Sequence, residues 1–261
     1  MFSFDLIKAV IINIIYKIND LKSRNLIFNN ELEKELRLNG FFTINEFINH
    51  SKCDELINLI DKHASEDYCW RDKYNSDIRI FGIENIENDF KNIFKKMNIY
   101  NIFKKYISIN KIYETVMAAK MTFNEKNIGS GGGWHRDTSN KRQLKFILYL
   151  CEVSEDNGCF QYIEKSHLLN LKFSSAKILK NNFISQRYSN NEANLISNKL
   201  ELKIKSITGS KGTLIVVDTS GVHRGKPMNS GTRYALTNYM AEAPLGASIS
   251  DLIVSKNNIN K

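Results

Sequence analysis

Proline is nearly missing from this chain, with 2 in 261 residues, and no long Gly/Ser or Pro tract interrupts it. Nothing therefore marks a linker, and the length suits one large body with an ample core. Cysteine is scarce as well. Cys53, Cys69, Cys151 and Cys159 form no Cys-x-x-Cys pair, and a chain of this length needs no disulfide staples. Cys151 and Cys159 lie in apolar surroundings and read as small buried hydrophobes, which fits a reducing cytoplasm. Nucleic-acid signatures are absent: no zinc-finger spacing, no basic region with heptads, no aromatic RNA-binding motif. The formal charge is nonetheless +9, from Lys+Arg 37 against Asp+Glu 28. The lysines are dispersed rather than gathered in a tail, so an anionic small molecule is a better partner than nucleic acid.

An uninterrupted hydrophobic run is also lacking. "FSFDLIKAVIINIIYKINDLK" is apolar but broken by Asp5, Lys8, Asn13 and Lys17, and it falls short of the ~20 residues that span a bilayer. It has neither a basic leader nor a small-residue cleavage site, so it does not read as a signal peptide. Two roles are open to residues 1–38 as a helical extension. One is a buried or oligomer-forming helix. The other is a helix lying on the inner membrane surface, Ile and Phe down and Lys up. On a helical wheel its polar residues do not gather on one side. The oligomeric state is left open.

What is present changes character near residue 112. Before it, the pattern is mainly helical. "NNELEKELRLNGF" ends at Gly40, a C-cap candidate. "FFTINEF" alternates like a strand. "SKCDELINLIDKHA" predicts a helix capped by Ser51, with Asp54 three residues on. Phe90, Ile93, Phe94 and Met97 predict a further helix. After it come short segments rich in β-branched and aromatic residues: "YETVMAAKMTF", "QLKFILYLCEV", "CFQYIEKS", "ELKIKSI", "GTLIVVDTS" and "RYALTNYMAE". Such a series predicts a sandwich or jelly roll. The polar stretch 168–200 interrupts it as a surface excursion of the kind that forms lids or binding loops.

Of five histidines, His50 and His63 fall in the helical half and read as surface or capping side chains. His135 and Asp137, in "GSGGGWHRDTS", are two residues apart, which on a strand places both side chains on one face. They can take adjacent positions around one metal ion. His223, after the β-like "GTLIVVDTSGV", offers a third ligand. Two histidines and a carboxylate leave three coordination positions open, an arrangement suited to non-haem Fe(II) and O2. Arg233, ten residues past His223, can bind the far carboxylate of a 2-oxo-diacid bidentately.

The ordered set "GWHRD", "DNGCFQYIEKSH", "GTLIVVDTSGVHRGKP" and "TRYALTNYM", with "NGFFTINEFINHSKCDELI" before it, resembles the phytanoyl-CoA dioxygenase family of Fe(II)/2-oxoglutarate-dependent oxygenases over roughly residues 39–243. The resemblance implies a mainly β, α+β fold: a double-stranded β-helix (jelly-roll, cupin-like) core over residues 39–261, with N-terminal helices packed outside. It implies His135, Asp137 and His223 as iron ligands and Arg233 as the 2-oxoglutarate anchor, with O2 as the oxidant. The reaction it implies is hydroxylation of an unactivated C–H bond, with release of succinate and CO2. Related halogenases carry a small residue where Asp137 stands, so the carboxylate favours hydroxylation. Desaturation, epimerisation and cyclisation use the same ligands. The substrate expected is a small, anionic, lipid- or sugar-linked metabolite. Two rivals are a catalytically silent jelly-roll binding module and a jelly-roll metalloenzyme that uses no 2-oxoglutarate. This chain departs from the family in reading Glu-Lys-Ser-His at 164–167 and in having Arg224 and Gly225 after His223.

Neighbouring residues have plainer expectations. Strand alternation turns Arg136 outward, so Arg136, Lys141, Arg142, Arg224 and Lys226 form a solvated rim. His167 reads as a buried loop histidine, Trp134 as a packing residue, and Asp218 and Thr219 as a turn. The glycines match no phosphate-binding pattern and read as a hinge beside the metal strand.

Overall fold

The computed structural model describes residues 4–24, 31–96, 106–107, 112–139, 141–181, 183–241 and 247–255. In chain order its elements are α1 (Phe4–Arg24), α2 (Glu31–Asn39), β1 (Phe41–Ile44), α3 (His50–His63), β2 (Trp70–Arg71), β3 (Asp77–Phe81), β4 (Tyr113–Thr122), β5 (Leu144–Tyr149), β6 (Phe160–Ile163), α4 (Leu169–Leu179), α5 (Asn190–Lys199), β7 (Ile204–Ile207), β8 (Leu214–Asp218), β9 (His223–Gly225), β10 (Thr232–Ala241) and a short α6 (Ala247–Ser250).

Two antiparallel sheets face each other. The larger has the order β1-β8-β5-β10-β4-β3-β2, the smaller β7-β6-β9. In the larger sheet β10 lies between β4 and β5, pairing Arg233 with Met121 and Leu236 with Leu148. This is the expected jelly roll, with sequence-distant strands made neighbours.

Side-chain alternation explains the layering. Leu144, Phe146 and Leu148 of β5, Leu214 and Val216 of β8, and Leu236 and Met240 of β10 join one core cluster with Leu36 of α2 and Leu56 and Ile60 of α3. The intervening residues Ile147, Tyr149, Ile215, Val217 and Ala235 turn the other way, toward Phe160 and Tyr162 of the small sheet. Both faces of the large sheet are thus covered, which is why β5 and β8 read as near-continuous apolar runs. On the far side of the small sheet α5 buries Ala193 and Ile196 against Trp134, Ile163 and Val222. The 168–200 excursion is therefore two helices closing over the small sheet.

Several local expectations differ from the structure. Helix α3 is capped by Asn49, whose side chain accepts from the Lys52 amide at 2.8 Å, so Ser51 lies inside the helix. Phe90, Ile93 and Phe94 are buried as expected, but on two 3-10 turns, 88–90 and 93–96; Met97 lies outside the described residues. Gly40 does end α2, at φ 90° with its amide on the Leu36 carbonyl at 3.0 Å.

Candidate metal centre

The segment carrying His135 is not a full strand. It pairs with β9 through one antiparallel bridge, His135 to His223, with each amide donating to the other's carbonyl at 2.8 Å. The Asp137 amide donates to Thr219 O at 3.0 Å. These bonds set two chains side by side, and the two-residue spacing brings Asp137 to the same side as both rings. The imidazole centroids are 4.3 Å apart.

Each ring is fixed by its own backbone. His135 Nδ1 lies 2.9 Å from Gly133 O, and His223 Nδ1 lies 2.9 Å from Gly221 O. A carbonyl can only accept, so both Nδ1 atoms carry the proton and both Nε2 lone pairs are left free. Those Nε2 atoms face Asp137, at 3.7 Å from Oδ1 for His135 and 3.9 Å from Oδ2 for His223. The three potential ligand atoms lie within 4.8 Å of one another, the one such cluster found among the described residues. Burial depresses the basicity of both rings, and the second ring's neighbourhood takes His223 down to about 3. Burial alone would raise the Asp137 carboxyl. The Lys145 ammonium, then His223 and His135, outweigh it and hold the group well below the usual carboxylate range. Neutral imidazoles and an ionised carboxylate are the protonation states a divalent metal needs.

Lys145 escapes the sequence pattern. It is the second residue of β5, among apolar residues, is 9% exposed, and places Nζ 2.8 Å from Asp137 Oδ2 and 4.4 Å from the Tyr239 ring centroid. Oδ2 is thus buried with the Lys145 ammonium as its charge partner. An ionised carboxylate facing two free Nε2 atoms is a donor set that fits a divalent metal ion. The only sequence signal for Lys145 is one charge at an inward position of an apolar strand.

Arg136 overturns the outward expectation. It is 3% exposed, donates from Nη1 to Ser166 O and Ser220 O at 2.7 and 2.6 Å, and from Nε to Tyr188 Oη at 3.0 Å. The face opposite the ligands is not solvent, because the excursion covers it. The remaining rim cations are engaged too. Arg224 stacks 4.5 Å over Trp134 and bonds Gln161, Lys226 pairs with Glu155, and Arg142 stacks on Tyr106 and Tyr16.

The glycines approach the site closely. Gly129, Gly131, Gly132 and Gly133 all have positive φ. At Gly131 (φ 83°) a β-carbon would collide with the His135 ring, so glycine there is needed for both space and conformation. The Gly131 carbonyl accepts from the Arg187 guanidinium, which ties the glycine run to the excursion.

Beside the triad is a cavity of about 340 Å³ between the two sheets. Its floor includes Arg233, Tyr149 and Phe160; its other end has Lys145, Tyr239 and Phe81. Arg233 is 7% exposed, and its Nη2 has Met121 Sδ as a neighbour at 2.8 Å. No carboxylate pairs with it among the described residues. The contrast with Arg79, held by both oxygens of Asp77 at 2.9 and 2.5 Å, is direct.

His167 is buried, with Nε2 3.2 Å from Arg37 O, outside the cavity lining. Asp218 and Thr219 do form a turn, yet Asp218 is fully buried and accepts from Tyr106 Oη at 2.7 Å. His63 is no free surface group: Nδ1 meets Tyr68 Oη at 2.5 Å and Nε2 meets Glu87 Oε1 at 2.8 Å.

A phytanoyl-CoA dioxygenase family model matches residues 36–235. No curated protein is significantly similar to the chain in sequence. Solved structures with the same fold include the epimerase SnoN from nogalamycin biosynthesis in complex with Fe3+, alpha ketoglutarate and nogalamycin RO (12% identity, 85% of this chain and 88% of that one, TM-score 0.62). They include EctD from S. alaskensis with bound Fe (15%, 82% and 77%, TM-score 0.61). HygX from Streptomyces hygroscopicus, with nickel and 2-oxoglutarate bound, is a third (12%, 87% and 95%, TM-score 0.57). At these identities the likeness is one of fold.

Proposed function

Because the chain belongs to the phytanoyl-CoA dioxygenase family, we propose that it is a non-haem Fe(II)- and 2-oxoglutarate-dependent oxygenase. His135 Nε2, His223 Nε2 and an Asp137 oxygen would hold the iron, and Arg233 the distal carboxylate of 2-oxoglutarate. When bound, iron with 2-oxoglutarate supplies oxidation of a C–H bond by O2, the co-substrate leaving as succinate and CO2.

The observation that carries this reading is Arg233. A buried guanidinium without a carboxylate partner is costly unless a ligand supplies one. It lines the same cavity as the triad, and the planar fork suits a carboxylate. The remaining residues bind, orient and exclude water. Gly133 O and Gly221 O keep the rings turned inward. Lys145 holds one oxygen of Asp137 and so limits the rotation of its carboxylate. Phe160, 5.4 Å from the His223 ring, closes the floor.

The substrate would enter at the end away from Arg233. Arg187 on the excursion also lines the cavity and brings positive charge to it, and Tyr239 and Phe81 bring apolar surface. This supports a small anionic substrate with an apolar portion. The intact carboxylate at Asp137 supports hydroxylation, which adds one oxygen atom to the product; epimerisation or ring closure on the same fold would add none.

Succinate release under air tests the reading. The protein loaded with Fe(II) should convert 2-oxoglutarate to succinate, coupled or uncoupled, and a chelator should stop it. Arg233→Ala should raise the 2-oxoglutarate requirement by about a hundredfold, within the cost of truncating a buried charge pair, while iron affinity stays unchanged. No succinate from iron-loaded protein would sink the proposal, and equal loss of iron and 2-oxoglutarate binding would remove Arg233 from its role.

A further inference from the structure

Helix α1 turns its more apolar face away from the protein. Ala9, Asn13 and Tyr16 are buried, with Asn13 Nδ2 donating to Ala9 O at 2.8 Å and Arg142 stacked 4.9 Å over Tyr16. Ile7, Ile11, Ile14, Ile15 and Ile18 are all exposed, between 43% and 52%. At 3.6 residues per turn these five occupy an arc of about 100° opposite the buried face. The exposed Lys8 and Lys17 flank that arc on its two sides, about 20° and about 60° beyond its edges. The mixed helical wheel seen in the sequence now has an explanation: Asn13 is polar but faces the protein, while the isoleucines face out.

Two occupants suit such a stripe. The 4-3-4 spacing of Ile7, Ile11, Ile14 and Ile18 is that of a coiled-coil seam, whose flanking positions set partner choice by charge. Here both flanks carry lysine, so a second copy of α1 would bring cation toward cation. An anionic lipid surface neutralises both edges and receives the isoleucines between them. No helix among the described residues is long and apolar enough to cross a membrane, so α1 would lie in the surface plane.

We propose that α1 is an in-plane anchor on anionic membranes. Its five isoleucines insert at the headgroup–acyl boundary, Lys8 and Lys17 contact lipid phosphates, and the protein is carried on the Ala9–Tyr16 face. This is independent of the assignment of the metal site.

Vesicle flotation of the full chain tests it. The protein should float with phosphatidylcholine vesicles containing phosphatidylglycerol and much less with phosphatidylcholine alone, and high salt should weaken binding. Ile11→Glu with Ile14→Glu should abolish flotation. Lys8→Glu with Lys17→Glu should reduce partitioning by at least about tenfold, from roughly 1 kcal/mol per cation near the surface. All four positions are exposed, and circular dichroism checks that the variants remain folded. Three results would overturn the proposal: no binding to anionic vesicles at low salt, flotation insensitive to the Ile11/Ile14 pair, or a concentration-dependent dimer without flotation. The last would give the face to a second copy.

Discussion

His167 shows how one side chain couples this fold to pH. It is buried against α2, its Nε2 bonded to the Arg37 carbonyl at 3.2 Å and its Nδ1 without a partner. Burial pushes its pKa from 6.5 down to about 4. In the unfolded chain the ring takes a proton near 6.5; in the native state it resists until about 4. Stability should therefore fall as pH drops through that window and level off below it, by up to about 3 kcal/mol from this group. His135 and His223 act in the same direction. Urea midpoints between pH 4 and 7 should decline less in His167→Gln than in the parent; equal slopes would show that His167 is not the coupled group. At this scale the His135–Asp137 spacing is legible because alternation is a backbone property. Arg136 is misread by the same rule, because alternation does not say what lies on the other face.

At the scale of elements the excursion is the least legible part. Its second helix, α5, carries only three apolar residues in ten, and Ala193 and Ile196 are buried by Trp134, Ile163 and Val222; its first, α4, buries the polar Lys172 and Ser175 rather than an apolar stripe. One signal is local. Ser189 and Glu192 have capping-box spacing, and the structure forms the box, with Glu192 N donating to Ser189 Oγ at 3.2 Å and Ser189 N to Glu192 Oε2 at 2.7 Å. Ser189→Ala should cost about 1 kcal/mol. Its effect should concentrate in residues 186–199, read as faster amide exchange there by mass spectrometry. Unchanged exchange would mean that Ala193 and Ile196, packed on Trp134 and Val222, hold α5 without its cap. The strands β4, β5, β8 and β10 are legible from composition. The short β2, β3 and β9 are not, since two to five residues give no period to read.

For the whole molecule, the site should couple binding to folding. The three proposed ligands come from two distant parts of the chain, so the unfolded state cannot present them together. A divalent ion at about a hundred times its Kd should add about 2.7 kcal/mol, a rise in Tm of roughly 5–10 °C for a domain of this size. Anaerobic thermal unfolding with Fe(II), then with 2-oxoglutarate added, measures it. His223→Ala should abolish the metal-dependent rise, and a rise that survives in that variant would place the ion elsewhere. The sequence by itself determined the jelly-roll class, the His135–Asp137 pair and the candidacy of His223 and Arg233, because side-chain period, spacing and residue chemistry are local. Only the tertiary structure decided that Lys145 shares Asp137, that Arg136 is buried, that Arg233 lacks a carboxylate and that the isoleucines of α1 face outward. Each of those depends on what lies across a sheet or beneath a helix, and distance in space is not written in distance along the chain.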